Sequence, residues 1–211
     1  MGALLTLTAL FSDTTNIIYT FVRYLHYMKM TENRSYLQKY AMHFGTYMGV
    51  YWVLKFILFP LGLTIPFLLF LFVGLTLGVP FLGYYYARLY RNKICGGYIS
   101  FAQAWIFTIF MYLFASLLTA VAHYIYFAYI DGGFVTDTYL NILNEASNSQ
   151  LASMQPYMEQ LQSMIELIGS MTPADITLQL LSQNVFYGTL LAIPTALFVM
   201  KRNRTLTPPI A

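Results

Sequence analysis

The chain has 211 residues, of which 58% are apolar and only 9% charged, with a net charge of +3. An average soluble chain carries roughly 25% charged residues, and so few could not cover a soluble globule of this length, so the soluble classes are excluded; the mean hydropathy of +0.59 says the same. The lone cysteine, Cys95, excludes an intramolecular disulfide and completes no metal or redox motif, and beside Arg91 and Lys93, which would favour its thiolate, it reads as a plain free thiol.

In chain order, a segment over 1–40 comes first. MGALLTLTALF is apolar but lacks the basic start of a signal peptide. The stretch through Met30 mixes Asp13, Thr14, Thr15 and Asn16 with apolar residues, the pattern of a partly amphipathic helix lying on a membrane surface. Met28 and Met30 stand just before TENRSYLQKY, an ordinary lead-in to a first span. Residues 1–29 therefore also read as the product of a start codon assigned too far upstream.

A helical span needs about 20 mostly apolar residues, and four segments satisfy this. The first is 41–59, ending at Pro60; the second is 66–87. LGLTIP between them is short enough only for a tight turn, so the two form a helical hairpin. The third, 100–130, exceeds the hydrocarbon thickness and is expected to tilt or project. The fourth is 180–200.

The stretch 131–179 is the sizeable non-membrane region. DGGF breaks the third helix, and a helix is expected over 137–153. A second starts at about Gln155, with Met154, Tyr157, Met158, Leu161, Met164, Ile165 and Ile168 along one face. Thr172 as N-cap and Pro173 at the first helical position start a helix that runs unbroken into the fourth span. The expected fold is all-α: a block of three spans over 41–130, an external helical hairpin over 131–179, and a fourth span with a basic tail over 180–211.

Charge sets the expected orientation. Ten of the eleven Lys and Arg residues fall on one side: Arg23, Lys29, Arg34 and Lys39, then Arg88, Arg91 and Lys93, then Lys201, Arg202 and Arg204. The positive-inside rule makes that side cytoplasmic, with both termini in. Asp131, Asp137, Glu145, Glu159, Glu166 and Asp175 fall in the external region.

The exception is Lys55, towards the far end of the first span. An intramembrane cation is a functional candidate by default. Its stem would let it snorkel to the interface, or it would pair with an external acid. His123, among Tyr124, Tyr126 and Tyr129, would titrate, meet a headgroup phosphate or bond to the loop. Gln103, Gln183 and Asn184 suit hydrogen bonds between helices. Gly45 with Gly49, and Gly74 with Gly78, have the spacing of close helix packing, either within the first hairpin or against a partner or second copy. The tyrosines Tyr84, Tyr85, Tyr86 and Tyr90 at one end and Tyr124, Tyr126 and Tyr129 at the other read as an aromatic belt. Met154, Met158, Met164 and Met171 make a methionine-rich stripe suited to adaptable contact. In the third span's lead-in, Ser100 and Gln103 have the spacing of a capping box. Arg88, Arg91 and Lys93 beside Ser100 offer contact to lipid phosphate, while topology and capping explain the same residues without a ligand. No GxSxG, HExxH or phosphate-binding loop occurs, and the three histidines are scattered, so no catalytic residue, metal site or cofactor is expected, nor nucleic-acid binding.

The lead-in MTENRSYLQKYAMHFGTYMGVYWVLKF, the loop YYYARLYRNKICGGYISFAQAW with its core Gly97 to Ala104, and a final span closing in KRN resemble the bacterial family catalogued as domain of unknown function 4199. The resemblance covers about 30–204. It implies a four-span protein of the bacterial inner membrane, no known activity, and an additional segment before Met30. It also suggests a polyprenyl-phosphate-type glycosyltransferase as partner. The expected function is a non-enzymatic accessory or scaffold subunit of a cell-envelope membrane complex. The alternatives are lipid-linked substrate binding or transport, which implicates the basic loop, and a small homo-oligomeric channel, which implicates a glycine face.

Overall fold

A computed structural model describes residues 36–148 and 155–201. The leading amphipathic segment, Met154 and the tail arginines lie outside the described residues. The chain divides into two units, Met1–Tyr40 and Ala41–Ala211. Of the first, only the helical residues 36–40 are described; the second carries the architecture below.

Six helices make up the described chain: α1 Tyr36–Thr64, α2 Pro66–Lys93, α3 Phe101–Tyr129, α4 Phe134–Asn148, α5 Gln155–Gly169 and α6 Pro173–Val199. Of these, α1, α2, α3 and α6 are long and apolar enough to cross a membrane. Among the described residues no strand forms; the extended backbone pairs only in an isolated bridge between Ile99 and Lys201.

The first span does not stop at Pro60. The helix continues through it to Thr64. Proline removes one helical hydrogen bond, a loss that helices of membrane proteins tolerate. The stop comes instead from Pro66, whose ring disfavours helical geometry at the residue before it. Ile65 is accordingly extended, with φ −122° and ψ 98°, and Pro66 opens α2. The expected hairpin of α1 and α2 forms around this one-residue break. The Tyr51 hydroxyl donates to the Leu75 carbonyl at 2.7 Å, and the Phe59 and Phe72 rings lie 5.6 Å apart.

Helix α3 is the centre of the bundle. Half of its most apolar stretch is buried, against at most 22% in the other spans. Its buried residues include Ala104, Phe107, Met111, Ala115, Thr119 and His123, a stripe of helical spacing running its whole length. The threonine hydroxyls on its buried side are satisfied within the helix, Thr108 donating to Ala104 and Thr119 to Ala115, both at 2.8 Å, whereas the buried Tyr112 hydroxyl has no partner among the described residues. The threonines therefore cost little burial energy. Tyr112 is the hub. Trp52 of α1 stacks on it at 5.9 Å. Gly83 of α2 lies against its hydroxyl, and Gly188 of α6 against its Cβ, where an added methyl would sit 2.7 Å away.

One end of the bundle collects the basic residues. Gly96 and Gly97, with φ +66° and +88°, reverse the chain between α2 and α3 in a geometry other residues rarely adopt. The expected Ser100–Gln103 capping box then starts α3. The Ile99 and Lys201 backbones exchange two hydrogen bonds of 3.1 and 3.0 Å. Arg91 adds a third tie, its Nη1 donating to the Val199 carbonyl at the end of α6 at 2.9 Å, which suits a cation at a helix C-terminus.

At the opposite end, α4 begins three residues before the expected Asp137 and is described to Asn148; the expected end at Ser153 lies outside the described residues. The Asp131 carboxylate accepts from the Gly133 and Val135 amides at 3.1 and 3.3 Å, supplying the start that α4 needs. Helix α5 packs on α4, with Gly169 against Thr136. The expected N-cap of α6 holds and gains Asp175 as a capping-box partner. From there α6 runs unbroken to Val199.

Candidate functional site

The candidate site is a cavity of about 380 Å³ lined by residues of α1, α2, α3 and α6 together with α4 and α5. Helical spacing explains how each element reaches it. Trp52, Lys55, Phe56 and Phe59 share one face of α1. Thr119, His123 and Phe127 follow one another every four residues on α3, as do Ile176, Leu180 and Asn184 on α6. Ile165 and Ile168 of α5 and Val135, Thr136 and Tyr139 of α4 complete the wall, together with Phe72 and Asp131.

The lining is mostly aromatic and aliphatic, with few polar groups. Lys55 points into the bundle rather than out along α1. Its Nζ lies 5.9 Å from the Trp52 ring centroid and 5.3 Å from that of Phe72, and it lies within electrostatic range of His123. His123 is 5% exposed and packs edge-on against Phe56 at 4.3 Å. Its Nδ1 is buried and has no hydrogen-bond partner among the described residues, as does the Trp52 Nε1. The loop-bonded interfacial histidine expected from sequence is therefore a buried one, packed against Phe56 of α1. Two of the outer tyrosines, Tyr124 and Tyr129, are exposed as a belt requires, whereas Tyr126 packs on Phe56 at 5.3 Å.

The basic loop is a separate place. Arg88 and Lys93 are exposed. Arg91 is engaged with the end of α6, and the Ser100 hydroxyl with Gln103. Tyr90, one of the inner tyrosines, is buried and stacks on Phe107 at 4.0 Å. Burial pushes the Cys95 thiol up, and a hydrogen bond with Tyr90 offsets part of that rise; the neighbouring Arg91 and Lys93 do not make it a ready thiolate.

The glycine pairs separate. Gly45 and Gly49 pack on α3 rather than on α2: a methyl on Gly45 would stand 2.7 Å from the Met111 carbonyl oxygen and 2.7 Å from the Phe114 Cβ. Gly78 meets the Tyr51 hydroxyl, while Gly74 has nothing within 4 Å. Gln183 is exposed and Asn184 lines the cavity.

Sequence reasoning singled out Lys55 and His123 but not their shared cavity, and it assigned Trp52 no role. The signal was present in the spacing of Trp52, Lys55, Phe56 and Phe59, which mixes one cation into an aromatic helix face. Among the described residues, no cluster of three or more His, Cys, Asp or Glu side chains could hold a metal ion.

The profile of the family described as "Protein of unknown function (DUF4199)" matches residues 43–201, well over half of the chain. That range takes in α1 from residue 43 onward, all of α2 to α6, and every residue lining the cavity. Among curated proteins and among solved structures, none matches the chain.

Proposed function

The chain belongs to the DUF4199 family, whose function is unknown, and from that premise we propose that it is a non-enzymatic binding protein of the bacterial inner membrane that holds an amphiphilic ligand between its spans. The observation that carries this reading is the cavity itself, with aromatic walls and a few polar side chains that make no bonds to one another. Ligand sites are commonly such concave, mostly apolar spaces of 300–1,000 Å³. This is the lipid-linked binding alternative raised by the sequence, moved from the basic loop to the other end of the bundle. Both termini are taken as cytoplasmic, on the strength of the basic residues.

Native mass spectrometry of the full chain, purified in mild detergent, tests the reading. The expected result is one lipid-sized adduct per chain. Ile176→Trp, which fills the cavity, should lose it, while Leu178→Trp on the exposed face of the same helix should keep it. Adducts of equal occupancy in both variants, or bare protein throughout, would overturn the reading.

A second reading, an accessory subunit of an envelope complex, is favoured by one observation. Tyr157, Leu161 and Met164 on α5 are about half exposed or more. A photocrosslinker at Leu161 should capture one protein in native membranes, with a glycosyltransferase as the first candidate. Crosslinks to lipid alone would remove this reading.

A further inference from the structure

The two charged groups lining the cavity, Lys55 and Asp131, are unequally engaged, and the less engaged one points to the ligand's charge. Lys55 contributes a cation, and among the described residues no carboxylate forms an ion pair with it. Asp131 lines the same cavity, but its oxygens already accept from two backbone amides and bond with the Tyr126 side chain. Trp52 can only donate, and its buried Nε1 has no acceptor among the described residues. His123 Nδ1 is also without a partner among the described residues, and the Asn184 amide lines the same cavity. Ordered water would satisfy donors but would leave the charge. A cation removed from bulk water is costly unless an anion compensates it.

We propose that this cavity binds the anionic head of a single-chain amphiphile, a carboxylate or a phosphate, with Lys55 as its counter-ion and Asn184 and Trp52 as supporting donors. The hydrocarbon chain lies along Phe56, Phe59 and Phe72. A volume of about 380 Å³ accommodates a head group and the first part of one chain, and not a whole two-chain lipid. The inference rests on the binding reading above and adds the ligand's charge and its counter-ion.

The test is a titration of the delipidated full chain in detergent, followed by native mass spectrometry and tryptophan fluorescence. The probes are oleate, oleoyl lysophosphatidate, oleyl alcohol, and acetate or inorganic phosphate alone. Either anionic amphiphile, or both, should bind about tenfold or more tighter than oleyl alcohol. Which of the two binds tighter tells carboxylate from phosphate. Lys55→Met should erase that preference while leaving oleyl alcohol binding in place, and Lys55→Arg should keep it. Oleyl alcohol binding as tightly as both anions would overturn the anion proposal and leave the binding reading standing. Acetate or phosphate binding as well as its amphiphile would remove the chain from the proposal. An anion preference that survives Lys55→Met would remove Lys55 as the counter-ion. No binding by any probe would overturn both readings together.

Discussion

Gly45 and Gly74 share a sequence pattern and sit in opposite surroundings. Gly45 lets α1 approach the α3 backbone; Gly74 has open space beside it. Gly45→Ala must push apart two packed helices, an overpacking cost of about 1–3 kcal/mol. Gly74→Ala meets nothing and gains helix propensity, with an effect between zero and about 1 kcal/mol of stabilisation. Thermal melts in one detergent, with both variants side by side, check the contrast. Spacing alone could not separate the two glycines, because it shows that a face is smooth and not whether anything lies against it. Lys55 was legible as a lone cation in an apolar helix. Its surroundings were not, because Trp52, His123 and Asn184 come from three different helices and meet only after packing.

At the level of elements, the existence of the helices was legible and their ends were less so. Pro60 reads as a terminator, but the chain loses only one helical hydrogen bond there; Pro66 stops α1 because it constrains Ile65 as well. The capping box at Ser100 and the N-cap at Thr172 were readable because each is a contiguous motif. The buried face of α3 was not, since that helix is apolar nearly all round and hydropathy picks no side. The pairing of Ile99 with Lys201 had no local signal: it joins residues far apart in the chain. Its consequence is measurable. The Ile99 and Lys201 amides should exchange slowly with deuterated solvent, although neither lies in a helix. Arg91→Ala removes the guanidinium from the Val199 carbonyl and should speed their exchange several-fold, corresponding to about 1 kcal/mol of local opening. Unchanged exchange would mean that Arg91 contributes nothing to holding that end together.

The whole molecule follows the sequence in its broad plan: four apolar spans, with two further helices between the third and fourth. Apolar composition and length carry that much, because a bilayer admits few alternatives to helices. Sidedness is open to a direct chemical reading, since Cys95 is the lone cysteine and lies at the basic end. Burial raises its pKa, so less thiolate is present at neutral pH. A membrane-impermeant maleimide should therefore label it more slowly at pH 7 than an exposed cysteine, with a rate climbing about tenfold per pH unit until the thiol ionises. Labelling should occur in inverted vesicles and not in right-side-out ones if the basic end is cytoplasmic.

The packing around Tyr112 has a kinetic consequence. Trp52 forms part of the cavity wall and stacks directly on that ring. Below it, Met48, Phe107 and Met111 are fully buried, with Gly83 and Gly188 closing the flanks. The bundle is thus a blind well with a solid floor. An occupant would enter and leave through one leaflet alone, and a molecule supplied to the other would first have to cross the bilayer unaided, so loading would be fast from one face and limited by flip-flop from the other.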